Sequence, residues 1–137
     1  MVQEFTYLSI SRSRNTTHQD RKPLVKEFWT RNDPHYCDGD QAESLSEFFR
    51  RVENFLLQMR ERRFELAFVF THEQFIKALV WEVLHPEMAF NGNFMSGFQK
   101  FMTSFVVPNA AIMKLKIEES NELFIGKIDS SHLENYA

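Results

Sequence analysis

A single cysteine, Cys37, among 137 residues leaves no partner for an intramolecular disulfide. With four glycines and four prolines, the chain has no Gly/Ser linker, no repeat and no low-complexity tract, so nothing divides it. Neither sign of charge dominates. Sixteen Lys and Arg against nineteen Asp and Glu give a formal charge of -3 and a pI near 5.9, which excludes a global electrostatic footprint for nucleic acid or anionic membrane. Basic residues come only in short clusters such as Arg60, Arg62 and Arg63. No apolar run is long enough to cross a bilayer, because Lys77 and Glu82 interrupt the most hydrophobic segment. The opening MVQEFTYLSI has neither a basic nor an apolar leader region, so a cytoplasmic location is expected. The Asn15-Thr16-Thr17 sequon would then be unused.

What the chain does have is apolar material: 43% hydrophobic and 15% aromatic residues, enough for one domain, residues 1–137, with a real core. Residues 2–10 favour an extended segment, 11–20 a loop, and PLVKEFW a short helix with Pro23 in its first turn. NDPHYCDGD reads as a turn. Leu45, Phe48, Phe49, Val52, Phe55, Leu56 and Met59 form one stripe of helical period. Ser44 and Glu47 suit a capping box at its start, and Glu47 with Arg51 an i,i+4 pair. FELAFVF has the length and composition of a strand covered on both faces. A helix follows up to Pro86, and another over 93–105, where Phe94, Phe98, Phe101 and Phe105 read as core. AAIMKLKI and ELFIGKI flank EESN as a hairpin. This alternation predicts an α/β class.

Thr71-His72 stands where the apolar run FELAFVF gives way to helix. In open α/β sheets ligands collect at the carboxyl ends of strands, where a helix N-terminus offers free N–H groups to an anion. A histidine that merely caps its helix is the plainer reading of position alone.

AESLSEFFRRVENFL, FVFTHEQFIKAL and VVPNAAIMKLKI, in that order, resemble the histidine phosphatase superfamily, the phosphoglycerate mutase-like group. The places that carry the resemblance are Ala42-Glu43-Ser44, Arg51-Val52, Thr71-His72-Glu73 and Asn109, with VQEFTYL similar to the family's Leu-x-Glu segment. The resemblance implies a three-layer α/β/α fold and phosphomonoester hydrolysis through a phosphohistidine, without metal or organic cofactor. It makes His72 and Glu4 catalytic, as a hydrogen-bond donor in the phosphate pocket and as general acid or base, and places Glu43, Thr71 and Asn109 about the phosphate. The implied partner is a phosphorylated small molecule or phosphoprotein, with neither nucleic acid nor membrane.

Two departures qualify that picture. The family's nucleophile lies in an Arg-His-Gly triplet directly after the first, central strand, and this sequence contains none. The chain is therefore expected to be the C-terminal part of the family domain, N-terminally incomplete and inactive alone, with exposed sheet edges that promote self-association. None of Arg12, Arg14 or Arg21 can be assigned the family's phosphate-arginine role. The second departure is Glu73, which replaces the family's glycine and puts a negative charge beside the site. A noncatalytic phosphatase-like interaction protein is the alternative function, and an unrelated α+β binding domain the alternative fold. Asp33, His35, Cys37, Asp38 and Asp40 could be mistaken for metal ligands, but they are read as a solvated turn.

Overall fold

The computed structural model describes residues 1–62 and 64–136; Arg63 of the basic cluster lies outside them. Four principal helices gather the aromatic residues and a terminal hairpin closes one side. Residues 1–7 carry no ladder, and a short helix α1 spans Ile10–Ser13. Helix α2 runs from His18 to Arg31, longer than expected. Its start is set by a box in which Asp20 N donates to Thr17 Oγ1 at 3.3 Å and Thr17 N donates to Asp20 Oδ2 at 2.8 Å. Pro23 thus lies inside the helix rather than in its first turn. Gln19 and Pro23 are both exposed, so the carbonyl freed by the missing N–H faces solvent rather than the core.

Helix α3, Leu45–Glu61, begins at Ser44 as the sequence suggests: Ser44 N donates to Glu47 Oε2 at 2.8 Å and Glu47 N to Ser44 Oγ at 3.3 Å. Its apolar stripe is buried from Leu45 to Leu56. Helix α4, Glu73–Leu84, and helix α5, Gly92–Ser104, pack beside it. The Asn91 side chain caps α5 by accepting from Asn93 N and Phe94 N. Phe49 sits edge-on to Phe94 and Phe98, each at 4.8 Å, and Phe5 stacks on Phe48 at 4.5 Å. Such contacts add to the area buried. Gly97 allows the close seat of Trp81 on α5, since a Cβ there would meet the indole at 3.1 Å. Phe94 and Phe98 are core as expected, while Phe101 and Phe105 are half-buried.

Strands β1, Ile112–Ile117, and β2, Leu123–Asp129, form the antiparallel hairpin expected over EESN, with Asn121 at φ 66° in its turn. Alternation puts Met113, Leu115, Leu123 and Ile125 against the helical core. A register shift lies between Met113 and Leu115.

FELAFVF departs from expectation. Residues 64–70 form neither strand nor helix, and their large side chains face outward, Phe68 81% and Phe70 91% exposed. A strand needs a ladder partner, and among the described residues none lies alongside. The mixed α and β class stands, but helices come first and the two strands follow as a consecutive pair. The three layers implied by the resemblance are not formed among the described residues.

Candidate functional site

A broad cleft of about 1200 Å³ lies between the C-terminal turn of α3, residues 64–72, the first turn of α4, residues 107–111 and β1. Glu4, Thr71, His72 and Asn109 all line it, together with His132 near the C-terminus. Residues distant in sequence thus meet on one concave surface. His72 is the N-cap of α4, yet its ring makes no capping bond, so the imidazole is left exposed to the cleft. The first-turn N–H groups of α4 open beside it and supply the positive end of a helix dipole.

The Glu4 segment is held by other residues. Thr71 Oγ1 donates to Val2 O at 2.6 Å, tying the N-terminal segment to the residue before His72. Arg51, from α3, donates to Met1 O at 2.6 Å and Gln3 O at 3.2 Å, and approaches Glu4 O at 3.4 Å. The guanidinium is oriented in turn by Glu43 through contacts of 2.8 Å from Nε and 2.5 Å from Nη2. A fork-to-carboxylate geometry of this kind fixes the planar group as well as attracting it. Glu43 also accepts from Thr6 N at 3.2 Å. It lies outside the cleft lining and serves to hold the backbone that presents Glu4.

Arg51 is therefore a residue whose part was missed from sequence. Its expected i,i+4 partner, Glu47, is occupied at the Ser44 cap, and Arg51 turns to Glu43, eight residues back and before the helix begins. Helical spacing carries no signal for that pair.

Asp38 is a second correction. Its side chain is 1% exposed and does not belong to a solvated turn. It accepts from Ser9 N at 2.9 Å, Ser9 Oγ at 3.1 Å and Tyr36 Oη at 3.1 Å, and it pairs with Arg12. Burial alone would raise its pKa, but the Ser9 and Tyr36 hydrogen bonds and the Arg12 charge outweigh burial and hold it below the usual value. Arg12 thus bridges Asp38 and Glu27 away from the cleft. Among the described residues no group of three or more His, Cys, Asp or Glu is arranged to hold a metal. No described helix is long and apolar enough to cross a membrane.

Among the described residues the lining carries five carboxylates, those of Glu4, Glu65, Glu73, Glu118 and Glu119, against the cations Arg60, Arg62 and Lys116. A phosphate site built from these groups alone lacks the concentrated positive charge that phosphoryl transfer needs.

The family model described as histidine phosphatase superfamily (branch 1) matches residues 3–125. The chain belongs to the histidine phosphatase superfamily. All five candidate residues, Glu4, Glu43, Thr71, His72 and Asn109, fall inside the matched span, while His132 falls beyond it. No curated protein and no solved structure matches the chain.

Proposed function

We propose that the chain contributes the acid and phosphate-binding side of a phosphomonoester hydrolase of the histidine phosphatase type. The supporting observation is the gathering of Glu4, Thr71, His72 and Asn109 on one cleft at the N-terminus of α4. In the reaction a neutral imidazole attacks phosphorus, forming an N–P bond as the ester P–O bond breaks. The Glu4 carboxyl protonates the departing oxygen, and water later cleaves the N–P bond with Glu4 as base. His72 and the first amides of α4 donate to the equatorial oxygens.

The attacking imidazole belongs to an Arg-His-Gly strand that this sequence does not contain. In this reading that strand lies beside residues 64–70, covers their exposed apolar side chains and completes the three-layer arrangement. Its arginine also corrects the charge of the cleft. The substrate is a phosphorylated small molecule or phosphoprotein.

In a form extended upstream through such a strand, Glu4→Gln is expected to lower turnover of an aryl phosphate about 10²–10⁴-fold. His72→Ala is expected to lower it about 10²–10³-fold. Turnover unchanged in both variants sinks the assignment. The second reading, a noncatalytic phosphatase-like interaction protein, is favoured by the carboxylate excess among the described residues of the lining. It requires the extended form to bind phosphate esters without cleaving them.

A further inference from the structure

Glu73 follows His72 directly and lines the same cleft. A lone carboxylate there would repel a phosphate dianion. The structure answers that charge from beneath. Lys77, one turn further along α4, sets Nζ 2.7 Å from Glu73 Oε1, and the same ammonium donates to the Met102 carbonyl at 2.7 Å. The Lys77 side chain is 9% exposed and that of Glu73 49%.

A surface i,i+4 pair has two mobile ends. Here the cationic end is buried and fixed to the last turn of α5, so the anionic end has a stationary partner. Lys77 itself stays outside the cleft lining. Its charge therefore acts on the site through Glu73 without meeting a ligand.

Building on the phosphate-site reading, we propose that Lys77 is a positioning residue. It holds Glu73 in a fixed ion pair and cancels the carboxylate charge beside His72, so that the α4 end of the cleft accepts a doubly charged phosphate group. This accounts for a glutamate in the first turn of a helix whose N-terminus faces an anion site. The pair is also specific in sign, because removing the cation alone leaves the cleft more negative.

The test is titration of the 137-residue chain with orthophosphate, followed by the amide resonances of residues 71–74. Lys77→Met is expected to weaken uptake by roughly three- to tenfold, the effect of one uncompensated charge at short range in a partly solvated site. Lys77→Met combined with Glu73→Gln restores uptake to within about twofold of the original, since both forms carry the same net charge there. A lysine that only pinned α4 to α5 would not be rescued this way, because the Met102 contact is still missing. Should Lys77→Met fail to fold, Lys77→Gln carries the same comparison and keeps an amide donor.

Uptake unchanged in the single variant, or unrestored in the double, overturns the proposal while leaving the phosphate site standing. Absence of uptake by both the original chain and the double variant overturns the proposal for this chain, and the phosphate site is then judged on the form extended upstream.

Discussion

Glu82 shows how one residue couples the packing to pH. It is half-buried on α4 near Glu53 of α3, and burial first, with the Glu53 charge second, raises its pKa from 4.5 to about 7. A carboxyl raised in the folded state binds its proton there at a pH where the unfolded chain has released it. Stability from this group is therefore greatest below about pH 4.5, falls as pH rises towards 7, and is level above that. Glu82→Gln is expected to flatten this slope and to raise stability above pH 7 by about 1–2 kcal/mol, after allowance for solvent screening. Denaturant unfolding of both forms across pH 5–8, a window of roughly this titration, measures it. Parallel pH profiles contradict it. The sequence could not announce this residue, because both the burial of Glu82 and the nearness of the Glu53 charge arise only from the packing of helices.

The elements divide according to whether their partners are local. Helix α3 was legible because its stripe and its Ser44-Glu47 box are both short-range patterns. The hairpin was legible because its turn lies between its own strands. Thr17 and Asp20 give α2 an equally local start, but Pro23, inside the helix, carries the competing signal of a first-turn proline. Residues 64–70 have strand composition, whereas strand formation depends on a neighbour whose position composition does not carry. This difference is measurable. Phe70→Ser is expected to change unfolding stability by no more than about 0.5 kcal/mol, as at an exposed site. Phe49→Ala in the fully buried cluster should cost about 3–5 kcal/mol. Similar costs for the two would place residues 64–70 within the core.

For the whole molecule, family membership over residues 3–125 meets a cleft that draws together four of the five residues the resemblance nominated. Glu43 is the instructive exception: the motif was legible, but the Arg51 fork and the Thr6 amide that engage it lie in three dimensions. Among the described residues the same architecture leaves an apolar segment uncovered and the cleft with more carboxylates than cations. Both are met in one step if a strand carrying Arg-His-Gly completes the site. The most direct measurement is phosphate release from an aryl phosphate by the 137-residue chain and by a form extended upstream by about sixty residues, a length on the scale of part of one domain. Release by the extended form alone, lost in its His72→Ala variant, is the expected result. Release by the shorter chain, or by neither form, would contradict the account.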